Sequence, residues 1–353
     1  MEINKKHLQF IQYLCEKYNK YNELNNISDF ISKYKDEYDK WFISDDEKEK
    51  LKMVLINKNI TAISPAEIIR IFNKTGDIES LKKIIYNNGL ISFSRIPKNI
   101  KANIYDFVPL SRECINLFIN KDGHNHLSIG KGEILLSLVI KDVCKGEKGR
   151  GDLYIGNNEY VEVKSDGGVI SIGGKSVTIV SKYLDKYIFK RKDKTYKDYF
   201  ANGKSLKYLL EKLNKKKVEI TSFLEVVIDA VIEQYELSME EKDKIKFMCD
   251  VLDSLKDLNF SITPGNWYYE RKTTYPLIEF LGYIQMYCYV KRLRDLDYLF
   301  LFDKKSNDYV LLNQQHLLDP SKLKNFIKFY GCGGNPVSGP SVVQNYSVSL
   351  GLA

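Results

Sequence analysis

Two acidic residues and a lysine with spacing suited to metal binding occur in the segment GRGDLYIGNNEYVEVKSDGG, residues 149–168. Asp152 precedes a short apolar run, and Glu162 and Lys164 are two residues apart in the next run. Alternate residues of a β-strand share a face, so Glu162 and Lys164 are predicted to lie on the same side. Carboxylate oxygens suit Mg²⁺ or Mn²⁺, and a nearby ammonium group can stabilise negative charge on a substrate. An ordinary solvent-exposed hairpin is the alternative interpretation.

The turn of this hairpin determines which residues face each other. If Gly156–Asn158 form a three-residue turn, Ile155 pairs with Glu159, and Asp152 then lies opposite Glu162. Directly opposed like charges destabilise a sheet, and a divalent cation between the two carboxylates would offset the repulsion. A shift of register by one residue would remove this opposition.

A third carboxylate, Glu133, precedes the hairpin in IGKGEILLSLVIKDVC. The spacing of apolar residues predicts a helix over about Lys131–Val143, with Glu133 on the same face as Leu136 and Ile140. A carboxylate on an apolar face is costly to bury unless a partner compensates it. The alternative is a glutamate at a helix start, where the helix dipole favours negative charge.

The order of these features resembles the PD-(D/E)XK nuclease superfamily, whose members share the restriction-endonuclease-like fold. A helix with Glu133 comes first, a strand that begins at Asp152 follows, and a strand with the ExK residues Glu162 and Lys164 comes third. Gly151 stands where the family has the proline of its Pro-Asp pair.

A second motif of the family has a counterpart later in the chain. QMYCY, with Gln285 and Tyr289 one helical turn apart, is similar to the QxxxY motif, and the apolar run DYLFLF follows it. The alternative is that both are ordinary helix residues, since tyrosine is frequent in this chain. The resemblance covers about residues 125–175 and 270–312.

The resemblance implies an α/β fold with a restriction-endonuclease-like core of helix, β-meander, helix and strand, and with extensive helical additions. The expected parts are a helical N-terminal module (1–95), the first part of the core (96–175), a helical insertion (176–262), the second part of the core (263–330) and a Gly/Ser/Val-rich tail (331–353). The tail is expected to be an appendage that docks to a partner or a larger assembly.

Asp319 and Pro320 predict a helix that runs up to Gly331.

The resemblance also implies a metal centre that holds Mg²⁺ or Mn²⁺. By similarity to the family, Asp152 and Glu162 would ligate the ion, together with the main-chain carbonyl of Val163. Glu133 would hold a metal ion or a water bound to it, and Lys164 would orient the attacking water.

Substrate contacts are expected from two sources. The resemblance implies that Gln285 and Tyr289 position the nucleic-acid backbone. The second source is a basic stretch, residues 182–217, which contains 13 Lys or Arg and 4 Asp or Glu. Aromatic residues lie between the basic ones, a pattern that suits contacts with phosphates and bases. A solvated helical face is the alternative for this stretch. The candidate basic contacts are Lys175, Lys190, Arg191 and Lys192.

Composition narrows the protein's setting. The chain has 353 residues, a formal net charge of +8 and six cysteines that form no CxxC pair. Reduced cysteines and a polar N-terminus indicate an intracellular protein of the cytoplasm, or of a virion if phage-encoded. No apolar run approaches the ~20 residues of a membrane span.

The leading hypothesis is a Mg²⁺-dependent DNA endonuclease that hydrolyses phosphodiesters with a metal-activated water, on double-stranded DNA more than RNA. One alternative is a phage or other assembly protein that retains the fold, docked through its tail or as a homo-oligomer. Another is a nucleic-acid-binding module without turnover. Because Asp152, Glu162 and Lys164 are all present, activity is favoured.

Overall fold

The structure of the chain is a computed structural model. It describes residues 5–18, 26–34, 42–120, 130–147, 150–171, 238, 240, 282–283, 286–287, 289–294, 296–331 and 347–353. Several predicted features lie outside these ranges, namely most of the insertion 176–262 and the side chains of Gln285, Lys175, Lys190, Arg191 and Lys192.

The protein has a mixed α/β fold. Its helices are α1 (Lys5–Tyr18), α2 (Ile27–Lys33), α3 (Asp45–Asn57), α4 (Pro65–Thr75), α5 (Ile78–Asn87), α6 (Arg112–Asn120), α7 (Lys131–Val139), α8 (Gln314–Leu317) and α9 (Pro320–Leu323), with a π-helical segment at Tyr289–Arg294. Its strands are β1 (Lys101–Asn103), β2 (Cys144–Lys145), β3 (Leu153–Gly156), β4 (Glu159–Ser165), β5 (Val169–Ser171), β6 (Tyr298–Phe302), β7 (Asp308–Asn313), β8 (Ile327–Gly331) and β9 (Ser347–Leu352).

Two compact units make up the chain. The first comprises Met1–Pro97, Asn103–Glu147 and Asp152–Asn158, and the second comprises Lys98–Ala102, Lys148–Gly151 and Glu159–Ala353. Strands β1, β2, β3, β4, β6 and β7 belong to a six-stranded mixed sheet.

The first unit is mostly helical, and its helix boundaries follow local sequence signals. Helix α3 begins with a capping box in which Ser44 and Glu47 bond each other's main-chain N–H groups. Helix α4 has Ser64 as its N-cap and Pro65 at its first position, and it ends at Gly76 with φ +73°. The observed helices α3, α4 and α5 confirm the prediction that this part of the N-terminal region is helical.

The second unit carries the parallel strand pair of the large sheet. Strand β4 runs parallel to β6, with Glu162 beside Leu299 and Lys164 beside Leu301. Strand β6 continues into an antiparallel hairpin with β7. Both strands are almost entirely buried, because their central residues are apolar on both faces.

The C-terminal residues correct one prediction. Ser347–Leu352 form β9, which lies between β5 and β8 in a separate three-stranded antiparallel sheet. Leu350 is fully buried there. This part of the expected tail is therefore a strand of the protein's own fold, because pairing on both sides satisfies its main chain despite its Gly/Ser-rich composition.

The helix predicted from Asp319 to Gly331 is also shorter than expected. Asp319 caps α9, but that helix ends at Leu323, and Ile327 begins β8. Ile327 and Phe329 are buried while Lys328 is exposed, which is the alternation of a strand.

The turn between β3 and β4 differs from the predicted one. Two residues, Asn157 and Asn158, separate the strand ends, with φ of +50° and +62°. Consecutive left-handed residues are typical of two-residue hairpin turns, and asparagine tolerates this conformation. The three-residue turn from which we predicted the opposition of Asp152 and Glu162 is therefore wrong.

Candidate metal centre

Glu162 is buried in a strand of the second unit and does not lie on an exposed hairpin face. Four consecutive residues of β4, from Tyr160 to Val163, are buried, and Glu162 is 0% exposed. The parallel partner β6 places Leu299 at its side. The alternative of an ordinary solvent-exposed hairpin is therefore wrong for this residue.

The start of β4 is fixed by hydrogen bonds and by a close approach of the main chain. The N–H of Tyr160 donates to Asp297 Oδ2 at 2.8 Å, and the N–H of Asp297 donates to the Tyr160 carbonyl at 3.2 Å. A Cβ atom at Gly151 would lie 2.8 Å from Tyr160 Cβ and 2.9 Å from the Val161 carbonyl oxygen. A residue larger than glycine would force the main chain apart there. This close approach explains the glycine at position 151 without reference to the family's Pro-Asp pair.

Glu162 Oε1 has two donors. The hydroxyl of Tyr289 donates to it at 2.5 Å, and Lys164 Nζ lies 2.5 Å from the same oxygen. Glu162 and Lys164 therefore share a face of β4, as predicted. The Lys164 side chain is 21% exposed, so it lies between the buried carboxylate and solvent.

The second carboxylate oxygen is different. Among the described residues, no hydrogen-bonding partner reaches Glu162 Oε2, although this atom is buried. An unpaired oxygen of a buried carboxylate is costly, because the charge has lost water without full compensation. Such an atom in a folded protein needs an explanation, and a bound cation is one.

Glu47, in the first unit, shows how a buried glutamate is ordinarily satisfied. Its Oε2 accepts from the N–H of Ser44 at 2.8 Å. Its Oε1 accepts from the Tyr86 hydroxyl at 3.4 Å and lies 3.6 Å from Lys82 Nζ. Both oxygens of Glu47 thus have partners, so its burial needs no ligand.

Tyr289 is buried beside Glu162. It is 4% exposed, begins the π-helical segment, and donates to Glu162. Single turns of π-helix occur frequently at functional sites. The structure thus connects the QxxxY tyrosine to the ExK glutamate, a contact that the sequence analysis did not predict.

The other two predicted carboxylates lie in the first unit. Asp152 is half-buried immediately before β3, and its carbonyl accepts from the N–H of Gly146 at 2.8 Å. Glu133 is in the first turn of α7, with its Oε1 2.5 Å from the position of a Cβ atom on the N-cap Gly130. Glu133 therefore folds back over its own helix start, which favours the helix-dipole interpretation of this residue.

Two further charged groups were missed in the sequence. Arg150 Nη1 donates to the Tyr160 hydroxyl at 2.8 Å, and its guanidinium lies 5.3 Å from the Tyr160 ring centroid. Arg150 is adjacent to the predicted site in the sequence, and its position in GRGD was the available signal. Lys58, the C-cap residue of α3, gave no signal of its own.

Lys58 is a buried ammonium with three acceptors. It is 2% exposed, and Nζ donates to the carbonyls of Ile140 at 2.6 Å, Lys141 at 3.2 Å and Val143 at 2.9 Å. Burial lowers the pKa of Lys58 to about 8, while the charges of Cys144 and Asp142 oppose this shift. The three bonds hold the chain that follows α7 against the end of α3.

A complete carboxylate cluster is not present in the part of the chain that the structure describes. Within those ranges, no three His, Cys, Asp or Glu side chains are grouped closely enough to share one ion.

No helix among the described residues combines the length and apolarity of a bilayer span.

Comparison with known proteins yields no relative: no family model, curated protein or solved structure matches this chain.

Proposed function

We propose that this protein is a Mg²⁺-dependent DNA endonuclease of the PD-(D/E)XK type, with Glu162 and Lys164 at its catalytic centre. The observation that carries the proposal is the buried Glu162 Oε2, which has no hydrogen-bonding partner among the described residues. A cation at this oxygen would compensate the buried charge, which the single partly exposed ammonium of Lys164 does only at Oε1.

The order of elements supports the same proposal. Helix α7 is followed along the chain by β2, β3 and β4, then by β5 of the smaller sheet, the helical residues around Tyr289, and β6, which runs parallel to β4. The restriction-endonuclease-like core has this order of helix, meander, helix and strand. We therefore propose that the large sheet is such a core.

The residues fit a divalent cation with oxygen ligands. Mg²⁺ is commonly held by one or two carboxylates and keeps several waters, so a cluster of three carboxylates is not required. Glu162 would supply Oε2, and the carbonyl of Val163 is a further ligand that the family resemblance implies. A bound divalent cation polarises a phosphate oxygen and lowers the pKa of water.

The chain's own residues then have separate tasks. The Lys164 ammonium, on the same face as Glu162 and nearer to solvent, would orient the attacking water and stabilise the negative charge that develops on the phosphate. The leaving oxygen takes its proton from solvent. The basic residues within 182–217 would neutralise backbone phosphates, so binding should weaken steeply as salt is raised.

Plasmid nicking tests this proposal. Supercoiled plasmid is incubated with Mg²⁺ and wild-type protein, Glu162→Gln, Lys164→Met or the control Lys52→Met. Lys52 is an exposed lysine on α3, paired with Glu49 at 3.4 Å. We expect a loss of about 100-fold or more for the two site variants and none for the control.

Equal nicking by all four proteins would overturn the proposal, because the activity would not depend on the site. Absence of nicking by wild type, with salt-dependent DNA binding retained, would favour a binding module without turnover. Absence of both would favour an assembly protein with a nuclease-like fold.

A further inference from the structure

We propose that Tyr289 sets the metal preference of this site, by holding Glu162 Oε1 so that Oε2 alone is left to ligate a cation. This inference rests on the proposed function. It changes the role of Tyr289 from substrate contact to positioning residue, and it predicts discrimination between Mg²⁺ and Ca²⁺.

The two oxygens of Glu162 are in unequal environments. Oε1 has both the Tyr289 hydroxyl and Lys164 Nζ at 2.5 Å, whereas Oε2 has no hydrogen-bonding partner among the residues that the structure describes. Hydrogen bonds to a carboxylate are among the strong ones in proteins, especially in a site that excludes water. A cation that needs both oxygens would have to displace these donors.

Of the two donors, Tyr289 is the one that is fixed. It is 4% exposed, and the next residue, Val290, is fully buried. Lys164 has a flexible side chain that is partly exposed, so it can leave Oε1 to approach a substrate phosphate. Tyr289 would then continue to occupy Oε1 throughout binding.

Coordination chemistry turns this asymmetry into selectivity. Mg²⁺ takes six ligands in a strict octahedron and retains several waters, so a single carboxylate oxygen suffices. Ca²⁺ takes six to eight oxygens and commonly binds carboxylates through both. A site that offers only Oε2 therefore favours Mg²⁺ or Mn²⁺, and Ca²⁺ loses one ligand.

Tyr289→Phe tests the inference, because it removes only the hydroxyl. Calorimetric titrations of the full-length protein with Mg²⁺ and with Ca²⁺ give the ratio of the two dissociation constants. The matched control is Tyr309→Phe, which alters a buried tyrosine of β7 stacked on Phe300 with ring centroids 5.0 Å apart. We expect Tyr289→Phe to shift the ratio about tenfold towards Ca²⁺, the effect of one hydrogen bond to a charged group, and the control to leave it unchanged.

Glu162→Gln separates the two proposals. If it leaves binding of both metals unchanged, the metal centre of the proposed function is wrong and this inference fails with it. If it abolishes binding but Tyr289→Phe leaves the ratio within about twofold of wild type, the inference alone is overturned.

A measurement on wild type covers the case in which Tyr289→Phe does not fold. The splitting between the two carboxylate stretching bands in the infrared distinguishes ligation through one oxygen from ligation through two, and subtraction of the Glu162→Gln spectrum assigns the bands. We expect the one-oxygen splitting with Mg²⁺. A two-oxygen splitting with Mg²⁺ would overturn the inference.

Discussion

Lys58 in the first unit and Glu162 in the second are both buried charged residues. They differ in whether the described residues satisfy all of their hydrogen-bonding atoms. Lys58 donates to three main-chain carbonyls. Glu162 accepts two donors on one oxygen and has no partner among the described residues on the other. Under the proposed function, the first is a structural charge and the second a functional one, because the unpaired carboxylate oxygen can accept a cation whereas the Lys58 ammonium has no bond left to make.

The largest expected effect distinguishes these roles at Glu162. We expect Glu162→Gln to lower plasmid cleavage about 100-fold or more, because the open oxygen loses its charge. We expect the free energy of unfolding to change by no more than about 1 kcal/mol, because the amide removes an imperfectly paired buried charge and the partly exposed Lys164 ammonium can turn to solvent. Chemical denaturation and nicking rates measure the two quantities.

A large loss of stability with retained cleavage would contradict this prediction. It would assign Glu162 the same structural role as Lys58, and the contrast between the two residues would disappear.

The next effect is on stability at Lys58. Lys58→Met keeps most of the side-chain volume but leaves the carbonyls of Ile140, Lys141 and Val143 without their donor. Since each unsatisfied buried group is costly, we expect the free energy of unfolding to fall by about 2–4 kcal/mol. Urea denaturation measures this, with Lys52→Met on the same helix as the control, for which a change below about 0.5 kcal/mol is expected.

Cleavage by Lys58→Met, measured where the variant is fully folded, should equal that of wild type. A loss of cleavage without a loss of stability would show that Lys58 has a functional role after all.

The smallest expected effect is a pH dependence of stability. Burial lowers the pKa of Lys58 from 10.5 to about 8, so between these values the unfolded chain holds a proton that the folded protein releases. Stability therefore rises with pH in this window, and Lys58 should contribute an increase of about 1 kcal/mol between pH 7 and pH 9. Subtracting the profile of Lys58→Met isolates this contribution, and identical profiles would contradict it.

Much of the local structure could be predicted because its causes are local. The caps at Ser64 and Gly76 act within a few residues, and so do the two apolar runs of the β6–β7 hairpin with the polar segment DKKSN between them. Strands β8 and β9 could not be predicted, because each depends on pairing with the other across distant sequence. Asp319 does cap a helix, as predicted. That helix ends at Leu323, because the residues that follow form β8 and pair with β9.

The candidate site was predictable in its residue types and not in its environment. The shared face of Glu162 and Lys164 follows from strand geometry. The complete burial of Glu162 does not follow, because a strand with alternating charges is expected to be half-exposed, and the parallel pairing of β4 with the distant strand β6 is not visible in the sequence. The contact of Tyr289 with Glu162 joins residues far apart in the chain, so it could not be predicted from the spacing of residues within one element.

The parallel pairing of β4 with β6 has a consequence for when the site can form. The chain between Ser165 and Tyr298 is about 130 residues long, and closing an unfolded loop of that length costs on the order of 4 kcal/mol of chain entropy. A ribosome that adds about 5–20 residues per second synthesises Glu162 roughly ten seconds before Tyr289. During that interval the carboxylate has neither the Tyr289 hydroxyl nor its partner strand β6, so under the proposed function the site can form only after Tyr289 and β6 have been synthesised.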